Sequence, residues 1–337
     1  MVCPEPAGVP GGVSTIVNLL TKRVGIKTFY SCSEVGILSK FWYQILCVIK
    51  FSIGLILNRK DLRTIYLQAS ESRSLARKMA YCIMPRLLGI PIYIHIHAAK
   101  FDQGKFERLL FFLGEVLNIR YIVLSVYWKE VFRDLGAKRI KVLHNPITDL
   151  ECFQPKKIRK TEARSILFLG RVGYRKGSDI LLDALTKVDR SFHVNIFGDG
   201  EVEQYRALAD DLGLKRVKFH GWIGREQKIK ELTNADILCL PSRNEGLPLA
   251  VLEGLGAGLC VVASDIKPIS SVVADYPGVF LFKNGCATGL AECLRIISNF
   301  PPEKLQEIAD KNQNLAKQLF DPENFIDNLL DILNEID

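Results

Sequence analysis

The sequence predicts an α/β protein with two domains, each built on a parallel sheet that helices cover. Short β-rich runs alternate with longer helical stretches along the whole chain, which is typical of parallel sheets with helical crossovers. The chain has 337 residues, a length that accommodates two domains of ordinary size. A Pro- and Lys-rich stretch at 145–164 separates the two alternating halves. We therefore expect a first domain over residues 1–150 and a second over 151–319.

The first half is expected to contain strands and helices in strict alternation. Its β-rich runs are 26–31, 64–70, 90–98, 121–125 and 140–146, and its helical stretches are 13–22, 38–57, 71–88, 104–118 and 127–135. A strand should also precede the glycine turn at 10–13, where only Met1–Cys3 is available. The first strand is therefore either very short or begins upstream of Met1, and we favour the second interpretation.

The second half repeats the alternation. Its β-rich runs are 165–170, 193–198, 217–221, 236–241, 260–264 and 278–282. Helices are expected over 178–189, 201–212, 225–234, near 247–257 and from the end of the last run to the C-terminus. Ligands of such sheets bind outside the carboxyl ends of the strands. Candidate site residues are therefore sought just after each strand.

Composition and cysteine usage indicate a globular cytoplasmic protein. The apolar fraction is 48% and the charged fraction 24%, which excludes a disordered chain. The nine cysteines are an odd number without a C-x-x-C pair, which favours reduced thiols over disulfides or a zinc site. The Pro/Gly-rich start lacks the apolar segment of a secretory signal.

Charge is distributed unevenly between the halves. Residues 1–150 hold 21 Lys and Arg against 10 Asp and Glu, a net +11, whereas residues 151–337 hold 24 against 27, a net −3. The apolar segment 41–57 is interrupted by Lys50 and is short for a membrane span. Beside the basic run 58–63, this segment favours peripheral contact with an anionic membrane. A solvated basic face remains the alternative, and no basic and aromatic motif of a nucleic-acid module is present.

Three glycine turns follow predicted strands and precede predicted helices. Gly11 and Gly12 lie in the first, and glycine there lets backbone N–H groups approach a phosphate. The second turn carries Arg171 and Lys176, which can flank a pyrophosphate. The guanidinium can donate two parallel hydrogen bonds, and the ammonium supplies a compact positive charge. The third contains Gly198. None has the spacing of a dinucleotide fingerprint.

Glu245 and Glu253 lie eight positions apart in an otherwise apolar segment at 241–264. A helix is expected to begin near Gly246 and Leu247, so its N-terminus could receive a phosphate between the two acids. Both carboxylates could accept hydrogen bonds from sugar hydroxyls of one ligand. From the spacing alone, two unrelated surface acids are the favoured interpretation.

These motifs together resemble retaining glycosyltransferases of family 4, of the bacterial surface-polysaccharide type. The segment 244–264 resembles the E-x7-E motif of that family, and similar elements occur at 11–13, 142–147, 170–177, 198–200 and 219–222. The strand end at 94–102 resembles the H-x-H-G element of the bacterial branch. The resemblance implies the GT-B fold, with two facing Rossmann-like domains around an interdomain cleft. It also implies that a C-terminal helix, about 320–337, packs back on the first domain.

The same resemblance implies a role for each site residue. Glu245 would hold hydroxyls of the transferred sugar, and Glu253 the ribose of the nucleotide. Arg171 and Lys176 would neutralise the leaving pyrophosphate, so neither a metal nor a cofactor is expected. His97 would lie near the reacting centre, whereas His95, on the same strand face, is more typical of a packing residue. The backbone groups of Gly11, Gly12, Gly198, Gly246 and Leu247 would line the nucleotide site.

The expected partners are a nucleotide-sugar donor, with UDP favoured over GDP, and a glycan or lipid-linked acceptor at the inner face of the plasma membrane. A soluble acceptor and a non-catalytic nucleotide-sugar-binding scaffold are the alternatives. The sequence departs from the family at Ala98, where glycine is usual, and at Gln68, where the bacterial branch often has histidine. Both departures concern the acceptor side.

Overall fold

The computed structural model describes residues 2–3, 12–24, 29–30, 37–97, 101–158, 164–188 and 192–335. The chain divides into two compact units, one formed by Met1–Asn145 with Glu323–Asp337 and the other by Pro146–Pro322. Both have the parallel α/β architecture that the alternating pattern predicts. Each unit is described by itself below.

The first unit contains a six-stranded parallel sheet in the order β2-β1-β3-β4-β5-β6. Its strands are β1 (Val2–Cys3), β2 (Phe29–Tyr30), β3 (Ile65–Ala69), β4 (Ile92–Ile96), β5 (Ile119–Val123) and β6 (Ile140–Val142), and its helices are α1 (Gly12–Val24), α2 (Ile37–Leu57), α3 (Ser72–Leu87), α4 (Lys105–Val116) and α5 (Val126–Asp134). All five residues of β3 and of β4 are buried, as expected for strands with both sheet faces covered.

The described part of the first strand spans two residues. Val2 pairs with both Phe29 and Leu67, so β1 lies inside the sheet between its neighbours. The chain runs from β1 to one side and then returns to β3 on the other. Strand order therefore reverses between β1 and β3, the position at which sheets of this kind bind ligands.

The second unit contains a six-stranded parallel sheet in the order β12-β11-β10-β7-β8-β9. Its strands are β7 (Arg164–Leu169), β8 (Phe192–Phe197), β9 (Val217–Gly221), β10 (Ile237–Leu240), β11 (Cys260–Asp265) and β12 (Val279–Lys283), and its helices are α6 (Ser178–Leu185), α7 (Val202–Asp211), α8 (Arg225–Asn234), α9 (Leu249–Gly256), α10 (Lys267–Val273), α11 (Ala287–Ser298) and α12 (Pro302–Phe320). Here strand order reverses between β7 and β10. The carboxyl ends of these two strands are thus the expected ligand position.

The last helix, α13 (Pro322–Asn334), belongs to the first unit although it follows the second in sequence. Its apolar face joins a buried cluster with α1 and the neighbouring strands; the members are Ile16, Leu20, Tyr66, Tyr93, Ile122, Leu143, Phe325, Ile326, Leu329 and Ile332. Arg23 also pairs with Glu323 at 3.0 Å. None of the described helices, α2 included, is long and apolar enough to cross a bilayer.

Gly198 brings the turns after β7 and β8 together. Its φ is +155°, and a Cβ added there would lie 1.9 Å from the backbone oxygen of Gly170. We expect Gly198→Ala to lower the free energy of unfolding of this unit by about 2–4 kcal/mol, because the backbone must move to remove the clash. Urea unfolding followed by Trp222 fluorescence measures this. Gly224→Ala is the control, because nothing lies within 4 Å of its added Cβ; an equal loss in both would contradict the close approach.

Candidate active site

Lys176 and Glu245 meet at the reversal of strand order in the second unit. Lys176 ends the turn that follows β7, and Glu245 lies in the loop that follows β10. Because β7 and β10 are hydrogen-bonded neighbours in the sheet, their exits are adjacent although the two residues are 69 positions apart. The sequence therefore places an ammonium and a carboxylate where an α/β sheet binds its ligand.

The Lys176–Glu245 pair is close and mostly removed from solvent. Lys176 Nζ lies 2.5 Å from Glu245 Oε1, and the two side chains are 14% and 7% exposed. Arg175 approaches the other carboxylate oxygen at 4.0 Å. A buried carboxylate without a cation is strongly unfavourable, so this pairing stabilises the Glu245 side chain in its position. The same ammonium is available to a ligand anion.

Arg243 holds the loops that carry this pair. Its backbone N–H donates to the oxygen of Arg175 at 2.9 Å. Its guanidinium donates to both carboxylate oxygens of Asp179, at 2.8 and 2.6 Å, and lies 3.6 Å from the centroid of the Tyr174 ring. Bidentate and stacked contacts of this kind need arginine specifically. The turn after β7 and the loop after β10 are thereby fixed to each other.

Arg171 lies near this site without joining the pair. Its side chain is 65% exposed and forms a 3.1 Å ion pair with Asp199, in the turn after β8. An exposed pair of this type contributes little to stability. The guanidinium of Arg171 can therefore exchange Asp199 for a more strongly charged ligand group. Gly198, the residue before Asp199, lies close to the backbone of Gly170.

Glu253 lies on α9 and is buried. Its Oε1 contacts Lys228 Nζ at 2.5 Å, and Lys228 also approaches Asp149 at 3.4 Å. Burial raises the pKa of the Glu253 carboxyl, and the neighbouring ammonium opposes this effect. Neither Lys228 nor Asp149 was expected from the sequence. Lys228 sits in an ordinary polar helix, and Asp149 in the stretch interpreted as a linker, so no local signal distinguished them.

The helix after Glu245 begins later than the sequence predicts. The expectation was a start near Gly246 and Leu247, but α9 begins at Leu249 with Pro248 in extended conformation as its N-cap residue. The residue before a proline is disfavoured in the helical region, so Leu247 stays outside the helix. Gly246 and Leu247 lie in the preceding loop, where both are buried.

The two histidines of the first unit lie at the exit of β4. His97 Nε2 is 2.5 Å from Gln68 Oε1, and His95 Nδ1 is 2.6 Å from the hydroxyl of Tyr66. Their ring centroids are 4.1 Å apart. His95 is fully buried whereas His97 is half-buried. Desolvation lowers the pKa of His97 to about 4 and that of His95 well below its usual range, so both rings are neutral near pH 7.

Acidification is expected to destabilise the first unit through His97. Between a folded pKa of about 4 and the ordinary value of 6.5, the unfolded chain binds a proton that the folded unit does not. The stability that neutral His97 provides is therefore complete above pH 6.5 and is lost as the pH falls toward 4. The free energy of unfolding falls by about 1.4 kcal/mol for each unit of difference between the two pKa values.

Urea unfolding between about pH 7.5 and about pH 5 checks this dependence. Fluorescence of Trp42 and Trp128 in a Trp222→Phe background follows the first unit. His97→Gln should reduce the dependence, and the part that remains belongs to His95, whose pKa is also lowered. An unchanged slope in that variant would show that other groups are responsible.

Two predicted features fall at the edge of what the structure describes. Gly11 and Ala98 lie outside the described residues, and Gly12 is the first residue of α1. Over the described part of the chain, no group of three or more His, Cys, Asp or Glu side chains could hold a metal ion.

Comparison with known proteins finds a family match in the second half of the chain. Residues 151–318 match the family model described as glycosyl transferases group 1. A relative described as an uncharacterized 41.2 kDa protein in the cps region of Klebsiella pneumoniae is 23% identical over 303 residues, which cover 79% of this chain and 81% of the relative. The phosphatidyl-myo-inositol mannosyltransferase of Mycobacterium leprae is 34% identical over 136 residues, 39% of this chain and 36% of that protein. The match therefore spans about a third of the mannosyltransferase.

The architecture of the whole chain is similar to solved structures. The Anabaena protein Alr3699/HepE, crystallised with UDP-glucose, superposes with a TM-score of 0.81 at 20% identity, covering 99% of each chain. At this identity the likeness concerns the fold. Together with the two parallel sheets, it confirms the GT-B fold class that the sequence predicts.

Proposed function

Because residues 151–318, about half of the chain, belong to the glycosyl transferases group 1 family, we propose that this protein is a hexosyltransferase-type glycosyltransferase of the retaining family 4. It takes a nucleotide-sugar, with UDP-sugars favoured over GDP-sugars. It transfers the sugar to a lipid-linked or polysaccharide acceptor in the synthesis of a cell-surface glycan.

The observation that carries this proposal is the Lys176–Glu245 pair at the switch point of the second sheet. A nucleotide-sugar presents a diphosphate directly joined to a polyol, and the site offers a cation and a carboxylate in direct contact. Lys176 is assigned to the diphosphate, and Glu245 to hydroxyls of the transferred sugar. Glu253, on α9, is assigned to the ribose.

The chemistry required of these residues is mainly electrostatic. As the bond between the anomeric carbon and the diphosphate breaks, negative charge grows on the phosphate oxygens and positive charge on the sugar. Fixed cations aimed at the leaving group lower this barrier without reorganisation. Lys176 and Arg171 supply two, and we assign to them the role that a divalent cation has in other transferases. Glu245 is not assigned as a nucleophile.

His97 is proposed to act on the acceptor side. A neutral imidazole can accept a hydrogen bond or a proton from a hydroxyl group, and the low pKa of His97 favours that neutral form. Its contact with Gln68 fixes the ring at the strand exit. Gln68 thus stands where the bacterial branch often has histidine, and its side chain orients His97.

The outer surface of the first unit supports a membrane-associated acceptor. Neighbouring helices α2, α3 and α4 carry exposed apolar side chains at helical spacing; these are Trp42, Leu46, Ile49, Ile53, Ile56, Leu57, Ile83, Leu87, Phe106, Leu109, Phe112, Leu113 and Val116. Exposed cationic residues lie among them, namely Lys50, Arg59, Lys60, Arg86, Lys105 and Arg108. Large apolar patches of this kind mark interaction surfaces, and the cations match anionic lipid headgroups.

A transfer assay tests the proposal. Purified protein is incubated with UDP-glucose, UDP-galactose, UDP-N-acetylglucosamine or GDP-mannose, with a lipid-linked acceptor in anionic or zwitterionic vesicles or with a soluble sugar phosphate. We expect transfer from one donor, with an unchanged anomeric configuration by NMR, and a faster rate on anionic vesicles. Transfer only to the soluble acceptor would contradict the membrane-associated acceptor and favour the soluble one. Donor binding without transfer to any acceptor would favour the scaffold.

A further inference from the structure

Four side chains in the second unit form a row of alternating charge that ends at Glu253. Arg225 Nε contacts Asp149 Oδ1 at 2.6 Å. The other oxygen of Asp149 faces Lys228 Nζ at 3.4 Å, and the same ammonium contacts Glu253 Oε1 at 2.5 Å. These residues come from α8, α9 and the segment that precedes the second sheet.

The row leaves one oxygen of Glu253 available. Lys228 occupies Oε1, and in the described part of the chain no hydrogen bond to Oε2 is found. Glu253 is buried, and burial raises the pKa of its carboxyl. An ionised carboxylate accepts stronger hydrogen bonds than a protonated one. A ligand hydroxyl therefore meets a suitable acceptor only while a cation remains beside Glu253.

Lys228 is itself fixed from the opposite side. The carboxylate of Asp149 faces it at 3.4 Å, and Asp149 is buried and anchored by Arg225. Lysine has a flexible stem that otherwise loses considerable rotamer entropy when it is held in place. Asp149 thus orients the ammonium toward Glu253, whereas Lys230, two positions further along α8, is exposed.

We propose that Lys228 and Asp149 are positioning residues for nucleotide recognition, which hold the Glu253 side chain turned so that its free oxygen selects a nucleoside with an intact ribose diol. This inference rests on the proposed function, in which Glu253 receives the ribose. It adds two residues outside the segment 244–264 and predicts what they control, namely the discrimination between ribose and 2′-deoxyribose.

The test measures Kd by calorimetry for UDP and 2′-deoxy-UDP, and for GDP and 2′-deoxy-GDP, on the full chain. Variants are Lys228→Met, Lys228→Arg, Glu253→Gln and the double variant Lys228→Met with Glu253→Gln, with Lys230→Met as the matched control. The double variant guards against misfolding, because removing both charges leaves no unpaired carboxylate at Glu253. Thermal unfolding verifies that each variant is folded.

The wild type and Lys230→Met should prefer the ribonucleotide by about tenfold or more, as expected for a hydrogen bond to a charged group. Lys228→Met should lose most of this preference by weakening the ribonucleotide alone, and Lys228→Arg should restore part of it. In the Glu253→Gln background, Lys228→Met should change neither Kd further, because coupled residues are not additive.

Three results would overturn the inference. A Lys228→Met protein that is folded and keeps the full ribose preference would show that Lys228 is only structural, and the proposed function would stand. A wild type that binds nucleoside diphosphates without ribose preference would remove the role of Glu253 and of both positioning residues. If the wild type binds no nucleoside diphosphate at all, the proposed function fails together with the inference.

Discussion

Lys176→Ala is expected to lower kcat/KM for the nucleotide-sugar by about 100- to 1,000-fold, since it removes a preorganised cation from the leaving group. The loss should appear in kcat as well as in KM, because the diphosphate gains charge in the transition state. Calorimetry should show that the effect of the substitution on binding requires the phosphates of the ligand. Binding of UDP should weaken, while binding of uridine should change little. Steady-state kinetics with the donor identified in the transfer assay measures the main effect.

The control for this experiment is Lys187→Ala. Lys187 lies in the same unit, is exposed, and pairs with Asp183. Its loss should leave kcat/KM unchanged and the free energy of unfolding within about 0.5 kcal/mol of the wild type. Because Lys176→Ala removes the nearer of the two described cations beside the buried Glu245 and leaves Arg175 at 4.0 Å, thermal unfolding must accompany the kinetics. A folded Lys176→Ala protein with wild-type turnover would contradict the assignment of Lys176 to the diphosphate.

Glu245→Gln and Glu253→Gln are expected to separate sugar recognition from nucleoside recognition. Glu245→Gln should lower kcat/KM for the nucleotide-sugar by about 100-fold and leave the inhibition constant of UDP nearly unchanged. Glu253→Gln should instead weaken UDP itself, by about tenfold. The reason is that each carboxylate serves a different part of one donor. Turnover and product-inhibition measurements on both variants provide the comparison.

Glu226→Gln serves as the matched substitution, because Glu226 is an exposed carboxylate on α8. It should leave both constants unchanged. The reverse division, with Glu245→Gln weakening UDP and Glu253→Gln sparing it, would exchange the two assignments. Equal effects of both variants on UDP would mean that the acids do not address separate parts of the donor.

The positions of some candidate site residues could be predicted because they follow from strand exits. Lys176 and Glu245 each come directly after a buried apolar strand, and parallel strands end at one sheet edge, so their proximity follows from topology. The same reasoning located His97 at the end of β4. It did not identify the partner of His97, because Gln68 was considered only as a departure from the family pattern.

What the sequence could not predict depends on tertiary contacts between side chains. Lys228 follows the polar pattern of a solvent-exposed helix, and nothing local indicates that its ammonium reaches Glu253 on another element. The start of α9 was placed too early because the apolar run continues through Pro248, whereas the backbone is still extended there. α10 was missed because it is short and follows β11 closely.

The most direct test of the central claim is a thermal-shift panel with UDP, GDP, ADP and CMP on the wild type, Glu253→Ala and Lys176→Ala. A ligand that binds only the folded state stabilises it by RT ln(1 + [L]/Kd). We predict that one nucleoside diphosphate, UDP foremost, raises the melting temperature of the wild type and that the shift fades in both variants. A shift of equal size in all three proteins, or none with any nucleotide, would contradict a nucleotide-sugar site built on Lys176, Glu245 and Glu253.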